Sequence, residues 1–382
     1  MIREAVLWIA ASVVVYAYAG YPLLLRLLRP FARRPVRKAP IEPTVSLLVA
    51  AYDEADVIAE KIANALALDY PAGRLEIVVA SDGSSDGTGD RVRAAAVGAR
   101  SRVRLVEFSE HRGKVQALNG AIRTLSGEIV VFSDASSLLE PRSLRELVAN
   151  FADPRVGAAS GVYRVRNRDG SNLGRQEDFY WRYETFLKLQ EARFGTMTGA
   201  HGSLYAMRRE LYPFPPPDTI NDDFVIPTSV VARGYRIAYE PQAVAYEEAH
   251  EMEGFGRRVR VTAGNVAQLR QARTLVRRPF VLFCFLSHKA TRLAAAPALV
   301  AALGANLLLV AAPAYAALFA AQAGFYALAL LGALRRLGWK PLRLPYYFCM
   351  INAAVFVWAW RRLAARRRRT PTDGGRPDVV WT

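Results

Sequence analysis

The chain has 382 residues, 52% of them apolar, and 51 basic against 34 acidic side chains give it a net charge of +17. This apolar content excludes a disordered chain. Residues 40–279 hold 31 basic and 31 acidic side chains, so the excess positive charge lies in the two ends of the chain. This distribution is typical of basic residues that flank membrane segments, and it argues against a nucleic-acid-binding domain.

The first predicted element is a transmembrane helix in residues 1–39. Ala5–Leu25 is a run of 21 uncharged residues, long enough to cross the ~30 Å hydrocarbon core. Six basic residues follow this run, the last of them Lys38, whereas only Arg3 and Glu4 are charged before it. This asymmetry predicts that the next domain is cytoplasmic. A cleaved signal peptide is the alternative, but it fits poorly because the apolar run exceeds about 15 residues.

Residues 40–256 are predicted to form one α/β domain. Short runs rich in Val, Ile and Leu predict strands buried on both faces: Thr44–Ala51, Leu75–Ser81, Val103–Phe108 and Glu128–Ser133. Helical patterns lie between them: Ala55–Leu68, a helix through Val97 capped by Ser84 and Asp86, and Val115–Thr124. The alternation predicts a mostly parallel sheet with helices on both faces.

Acidic residues follow three of these strands. Asp53, Asp82 and Asp134 each come at or just after a predicted strand end, where ligands bind in parallel sheets. An Asp after a strand is often a turn former or a helix cap, but three at one edge favour a divalent cation and hydrogen bonds to a base or ribose. No GxGxxG or GxxxxGK[ST] motif is present, so neither a dinucleotide fold nor a phosphate-loop nucleotidase is indicated.

The carboxyl-terminal third is predicted to return to the membrane. Residues 257–292 are predicted to be a basic interfacial segment, in which Arg257–Arg278 contains seven arginines and Phe280–Ser287 dips into the lipid boundary. Residues 293–334 are predicted to form two transmembrane helices. Within residues 335–382, a basic loop precedes Leu344–Trp360, which is either a short third span or an interfacial helix, and a polar tail follows. The aromatic stretch Phe179–Phe194 is predicted to be a helix that faces lipid or an acceptor channel, or packs on the sheet.

Four ordered motifs between Val45 and Pro241 resemble family 2 glycosyltransferases. They are VSLLVAAYDEADVIAEKIANALALDYPAGRLEIVVASDGSSDGTGD, HRGKVQALNGAI, EIVVFSDASSLLEP and GAHGSLYAMRRELYPFPPPDTINDDFVIPTSVVARGYRIAYEP. The resemblance implies the nucleotide-sugar-binding fold called GT-A, a Rossmann-like sheet flanked here by transmembrane helices. The membrane flanks are arranged as in the polysaccharide-synthase branch, which the chain resembles and which includes cellulose, hyaluronan and poly-N-acetylglucosamine synthases.

The resemblance also implies roles for individual carboxylates. Asp53 and Asp82 match positions that hold the uridine end of the donor, and Asp134 matches the first Asp of the DxD motif that holds Mg²⁺ or Mn²⁺. The second Asp of that motif is Ser136 here, which predicts weaker metal affinity. The acidic pair is Asp222-Asp223, and Asp223 matches the general base, although the pair also suits the cap of the following helix.

Three further residues are candidates for substrate contact. Processive members carry QxxRW after the base, where this chain has Arg257-Arg258-Val259-Arg260-Val261, so only Arg260 remains to pair with the diphosphate and processivity is in doubt. Lys114 is a second candidate for donor contact, with a plain surface charge as the alternative. His201 lies near the expected acceptor, with a structural histidine as the alternative.

The sequence therefore predicts a multi-pass enzyme of the inner (plasma) membrane whose catalytic domain is cytoplasmic. It would move a sugar from a nucleotide donor, expected to be UDP-linked, to a polysaccharide or glycan acceptor with inversion and a divalent cation. A single transfer to a lipid or polyprenyl-phosphate acceptor is the alternative. A membrane-tethered nucleotidyltransferase is disfavoured because no basic cluster follows the first strand.

Overall fold

The computed structural model describes residues 1–32, 35–99, 102–166, 172–248, 254–335 and 340–368. The chain forms two compact units. We call the first the sheet unit, which comprises Leu25–Ala249 and Arg273–Cys284. The second, called the helical unit, comprises Met1–Leu24, His250–Ala272 and Phe285–Thr382.

The sheet unit is built on an eight-stranded mixed sheet with the order β3-β2-β1-β4-β7-β6-β8-β5. The strands are β1 (Val45–Ala51), β2 (Leu75–Asp82), β3 (Val103–Phe108), β4 (Ile129–Asp134), β5 (Leu138–Leu139), β6 (Val156–Arg166), β7 (Tyr205–Arg208) and β8 (Arg236–Glu248). Strands β3, β2, β1 and β4 run parallel, whereas β7 is antiparallel to both of its neighbours. The four predicted strands are confirmed, each within a residue or so of its predicted ends.

Thirteen α-helices are found in the described part of the chain. They are α1 (Ile2–Val15), α2 (Tyr21–Leu28), α3 (Ala55–Leu66), α4 (Thr88–Gly98), α5 (Lys114–Ile122), α6 (Ser143–Val148), α7 (Asn172–Arg193), α8 (Asp222–Ala232), α9 (Gly254–Gln268), α10 (Pro279–Phe285), α11 (Thr291–Leu307), α12 (Pro313–Arg335) and α13 (Lys340–Arg368).

Both faces of the sheet are buried, as its apolar strands require. Leu47 and Val49 of β1 pack into one core cluster, while Leu48, between them in sequence, packs into another. Successive strand residues point to opposite faces, so a strand with no polar alternation is stable only when helices cover both sides. The predicted layer arrangement is confirmed.

The residue at the cap position of α4 is Gly87, so neither predicted residue occupies that position, although Asp86 still bonds to the start of the helix. Asp86 accepts a hydrogen bond from the Thr88 backbone N–H at 3.0 Å, at the first helical residue. Ser84 instead receives a hydrogen bond from the Asp53 backbone N–H at 3.1 Å. The Ser84 side chain therefore joins the loops after β1 and β2 and does not bond to the helix.

Helix α7 packs one face against the sheet, as one of the alternatives for the aromatic stretch predicts. It contacts β6 and β8, and Leu187 is fully buried. The same face also buries three charged side chains, Glu184, Lys188 and Glu191. Such groups are buried only when they are paired, so this face is a polar network as well as a packing surface.

The helical unit contains most of the apolar helices. Three helices are long and apolar enough to cross a membrane, among the residues that the structure describes: Ile2–Phe31, Pro279–Leu307 and Pro313–Leu334. The second begins before the predicted start at residue 293, so Phe280–Ser287 belongs to the same helix as the apolar run that follows, and its position at the lipid boundary stays a prediction. The predicted start followed from the charged residues Lys289 and Arg292, after which the uncharged run begins. The neighbouring Ser287 and His288 are buried inside the unit.

Two of these helices carry a π-helical turn at the place where they meet. The turns are Tyr16–Gly20 and Leu286–Ala290. The Tyr16 hydroxyl lies 2.8 Å from Ser287 Oγ, and the ring of Tyr21 lies 6.1 Å from that of His288. The wider turns thus bring polar side chains of the two helices into contact.

The basic segment is less regular than predicted. Helix α9 ends at Gln268 and a 3₁₀ segment, Leu269–Leu275, follows it. Arg258 is buried and donates a hydrogen bond to the hydroxyl of Tyr347 on α13, so it does not belong to an exposed basic face. The predicted segment Leu344–Trp360 lies within α13, which packs against α9, α11 and α12.

Candidate active site

The predicted carboxylates meet at one edge of the sheet. Asp82 and Asp134 end β2 and β4, the two neighbours of β1, and Asp53 lies two residues beyond the end of β1. The parallel register pairs Ala50 with Asp134 and Ala51 with Ser81. Because the three strands run the same way and end at the same level, their terminal acids share one rim.

Asp53 joins the loops after β1 and β2. Its backbone has a φ of +51°, in the left-handed region that Asp and Asn tolerate better than most residues. In this conformation its carboxylate accepts a hydrogen bond from the Ser85 N–H at 2.8 Å. The structure therefore places Asp53 at the rim, exposed and held by the glycine-rich loop after β2.

Asp82 is buried and organises the loop before α5. Its two carboxylate oxygens accept the backbone N–H groups of Arg112 at 3.0 Å and Gly113 at 2.7 Å. His111 Nδ1 lies 3.0 Å from Asp82 Oδ2, and its ring contacts that of Tyr52, with centroids 3.9 Å apart and planes tilted by 35°. Asp82 thus fixes the residues that lead directly into Lys114.

Lys114, the first residue of α5, links the two halves of the site. Its Nζ lies 2.7 Å from Asp134 Oδ1 and 3.3 Å from Asp222 Oδ2. Burial alone would lower the pKa of this ammonium, but the carboxylates of Asp134 and Asp222 outweigh it, so the pKa lies above its ordinary value. Lys114 is therefore a charged bridge within the site rather than a plain surface charge.

Asp222 and Asp223 open helix α8. Asn221 is the residue before the helix and makes no side-chain cap, so both acids stand in the first turn, where the partial positive charge of the helix stabilises carboxylates. Asp222 is buried, and the Asp223 backbone carbonyl accepts the Ala200 N–H at 2.8 Å. This bond ties the acidic pair to the loop that contains His201.

The surroundings of Asp134 suit a divalent cation that is shared with a substrate. Its side chain is 34% exposed, and a Cβ added to Gly202 would lie 3.0 Å from Asp134 Oδ2, so glycine leaves space beside the carboxylate. Ser136 lies in the exposed turn after β4. Among the described residues no three His, Cys, Asp or Glu side chains form a ligand set. One carboxylate with water and phosphate oxygens is a common arrangement for Mg²⁺.

His201 is buried in a polar and aromatic setting. Its Nε2 lies 3.3 Å from Lys188 Nζ and 3.3 Å from the Tyr239 hydroxyl. Lysine can only donate, so Nε2 is an acceptor and the ring proton lies on Nδ1. The histidine is thus a neutral side chain one residue from Gly202, and its predicted acceptor role stays a prediction.

Arg260 lies on α9, in the helical unit, and its side chain is exposed. Its predicted contact with the diphosphate stays a prediction.

Lys61 is a residue of the site that sequence reasoning missed. It is fully buried in α3, and its Nζ donates to Ser133 Oγ at 2.6 Å and to the Ser137 carbonyl, on the two sides of Asp134 and Ser136. Ser137 in turn donates from its hydroxyl to Glu247. The sequence feature that could have identified it is a lysine on the apolar face of α3, three residues after Ile58 and next to Ile62.

Comparison with known families matches residues 43–266 to the model described as glycosyltransferase like family 2. This match spans more than half of the chain and includes every carboxylate of the rim. The chain belongs to glycosyltransferase family 2 and is a glycosyltransferase.

Curated relatives and a solved structure agree with this assignment. The chain is 30% identical over 207 residues to a poly-β-1,6-N-acetyl-D-glucosamine synthase of Staphylococcus aureus, and 26% identical over 225 residues to that of Staphylococcus epidermidis. These matches cover 53% and 57% of this chain, and the chain spans about half the length of the curated relatives. A mannosyltransferase from Pyrobaculum calidifontis, in complex with GDP-Man and Mn²⁺, matches 95% of this chain and 99% of its own with a TM-score of 0.75 and 31% identity, which confirms the GT-A fold.

The Lys61→Met substitution is expected to lower the free energy of unfolding by about 2 kcal/mol, because the Ser137 carbonyl and Ser133 lose a buried donor. Thermal unfolding of the purified protein in detergent measures this. The matched control is Glu60→Met, which introduces the same side chain at the exposed neighbour of Lys61. Equal losses in both variants would contradict the role of Lys61.

The same lysine makes a pH-dependent contribution. Burial lowers the pKa of Lys61 to about 7, against smaller opposing effects of Asp134 and Glu247, while the unfolded chain keeps a pKa near 10.5. Between these pH values the unfolded chain binds more protons, so this contribution to stability increases as pH rises from about 7 to 10. As pH rises across this range, the unfolding midpoint of the wild type is expected to increase relative to that of Lys61→Met. A constant difference between the two midpoints would contradict the lowered pKa.

Proposed function

We propose that the protein is a membrane-embedded inverting glycosyltransferase that moves a hexosyl or N-acetylhexosaminyl group from a nucleotide diphosphate sugar to an acceptor hydroxyl. The observation that carries this proposal is the contact of Lys114 with both Asp134 and Asp222. It links a rim of acids at the strand ends to an acidic pair at the start of α8.

The donor is proposed to lie along the strand ends of β1, β2 and β4. Asp53 and the glycine-rich loop suit hydrogen bonds to the base and ribose, whereas the buried Asp82 supports the site by holding the backbone before Lys114. The ammonium of Lys114 then faces the diphosphate. The sequence favours a UDP-linked sugar, while the mannosyltransferase crystallised with GDP-Man supports GDP-mannose as a second donor to test.

Asp134 is proposed to hold a divalent cation, with Ser136 contributing through its hydroxyl or water. The Mn²⁺ in the mannosyltransferase supports this proposal. When bound, such a cation neutralises the negative charge that builds up on the departing diphosphate. Lys114 shares that task, which offsets the loss of the second acid at Ser136.

Asp223 is proposed to act as the general base. It takes the proton from the acceptor hydroxyl as that oxygen forms a bond to the anomeric carbon. On the opposite face the bond from the anomeric carbon to the diphosphate oxygen breaks, and the nucleoside diphosphate leaves with the electron pair. Attack and departure on opposite faces invert the anomeric configuration.

The protein is proposed to be anchored in the inner membrane as a multi-pass protein with its sheet unit in the cytoplasm. Three helices of suitable length and hydropathy support the anchoring, and the basic residues after the first of them support the orientation. Nucleotide sugars are made in the cytoplasm, so this orientation gives the donor direct access to the rim.

The acceptor is proposed to be a growing polysaccharide or another glycan, as the synthase relatives suggest. A single transfer to a lipid-linked acceptor is the second candidate. One observation favours it: the absence of Trp after Arg260, where the sequence has Val261.

The Asp223→Asn substitution is expected to reduce transfer by about a hundredfold or more while donor binding remains, because the amide cannot take a proton. Initial rates with a labelled donor and equilibrium binding of the same donor measure the two effects. Asp218→Asn, in the exposed loop before α8, is the matched control. Unchanged turnover in Asp223→Asn would contradict the assignment of the base.

The Asp134→Asn substitution is expected to remove the increase in donor affinity that Mn²⁺ or Mg²⁺ gives the wild type, because an amide is a poorer ligand for a hard cation. Donor titrations with and without metal measure this, with the exposed Asp90→Asn as the control. A wild type that binds donor equally well without metal would contradict the metal role.

Product analysis tests the proposed function as a whole. Membranes containing the full chain are incubated with radiolabelled UDP-N-acetylglucosamine, UDP-glucose or GDP-mannose. A ladder of products supports polymer synthesis, and one organic-extractable species supports the lipid-linked acceptor. No sugar transfer from any nucleotide donor would overturn the proposal.

A further inference from the structure

An aromatic cluster beside the acidic pair is not used by the proposed reaction. The ring of Trp181 on α7 lies 4.7 Å from that of Tyr163 on β6 and 5.2 Å from that of His201, nearly perpendicular to the histidine. Tyr163 and His201 are buried, while Trp181 keeps part of its surface exposed. We call these three side chains the Trp181 cluster.

The Trp181 cluster has a buried donor that the fold does not satisfy. Trp181 Nε1 is inaccessible to solvent, and within the described part of the chain no acceptor lies in hydrogen-bond range of it. Buried N–H groups are nearly always paired, since leaving one unpaired costs about 1–3 kcal/mol. An unpaired indole N–H beside a substrate site therefore indicates a ligand or a water that completes it.

The cluster is joined to the catalytic carboxylates through the loop Ala200–Gly202. His201 belongs to the cluster, the Ala200 N–H bonds to the Asp223 carbonyl at 2.8 Å, and Gly202 faces Asp134. The residues that contact the acids are thus the immediate sequence neighbours of His201.

The chemistry of the cluster suits a sugar ring. A pyranose has one face of C–H groups, which packs on an aromatic ring such as the exposed part of Trp181, and an edge of hydroxyls, which accept the indole N–H once the ring turns that group out of its buried position. The neutral His201 adds a polar ring without a charge, and Lys188 and Tyr239 hold it in place. No carboxylate of the donor rim is part of the cluster, so it has no reason to attract a metal.

We propose that Trp181, with Tyr163 and His201, forms the platform that holds the acceptor sugar for attack by its hydroxyl. This inference rests on the proposed function, because it names the acceptor side of the same site. The acceptor is then recognised by a pyranose ring, whether that ring ends a glycan chain or is attached to a lipid.

Tryptophan fluorescence tests the platform without knowledge of the natural acceptor. The probes are methyl α-D-mannopyranoside and methyl N-acetyl-β-D-glucosaminide, added to the full chain in detergent with nucleoside diphosphate and Mn²⁺. Trp181 is one of six tryptophans, so the signal is compared among the wild type, Trp181→Phe and Trp8→Phe. A saturable change that survives in Trp8→Phe and disappears in Trp181→Phe is expected. A change that survives in Trp181→Phe would overturn the proposal, as would no change with either probe.

Kinetics with the better probe as acceptor separates this inference from the proposed function. The acceptor KM is expected to rise about threefold in Trp181→Phe, which keeps a ring, and about tenfold in Trp181→Leu, which loses it. An equal rise in the donor KM, or an unchanged acceptor KM, would overturn the platform. Failure of the wild type to transfer sugar from any donor would instead count against the proposed function. If Trp181→Leu does not fold, the acceptor KM of Trp181→Phe and the fluorescence change together test the platform.

Discussion

The site depends on the balance of charge at the edge of the sheet. Parallel strands bring carboxylates to one rim, and carboxylates at short range repel one another and raise the free energy of the fold. The ammonium of Lys114 lies between Asp134 and Asp222 and offsets that repulsion from within. Lys61 is fully buried and donates a hydrogen bond to Ser133, the residue before Asp134. The two lysines differ in consequence: the carboxylates keep Lys114 charged, whereas burial makes the charge of Lys61 costly.

Main-chain contacts fix two parts of the site. The backbone of residues 112 and 113 is tied to Asp82, and the backbone of Ala200 is tied to Asp223. Short acids at strand and helix ends have few rotamers, so their geometry follows that of the sheet. A site built in this way stays in place without substrate, which lowers the entropy lost on binding.

The parallel half of the sheet was predictable because its strands are short apolar runs separated by clear helices. The acids at the strand ends followed from topology, and the resemblance gave each of them a role. Lys61 was not predictable, since a single lysine within an apolar helical face gives no sign of whether its ammonium finds acceptors. Arg258 was misplaced for a related reason: a run of arginines predicts an exposed face, but the hydroxyl of Tyr347, 89 residues away, provides a buried partner. The early start of the second apolar helix was hidden by Lys289 and Arg292, because the prediction followed the uncharged run alone.

The paired π-helical turns at Tyr16–Gly20 and Leu286–Ala290 limit how the chain can change in evolution. A π turn is equivalent to one residue inserted into an α-helix, and one residue corresponds to about 100° of rotation. Deletion of a residue from either turn would therefore rotate the rest of that helix and separate Tyr16 from Ser287. Insertions and deletions in these two helices should be tolerated only outside the turns or as matched changes, so the spacing of residues along the two helices is expected to vary less than their identity.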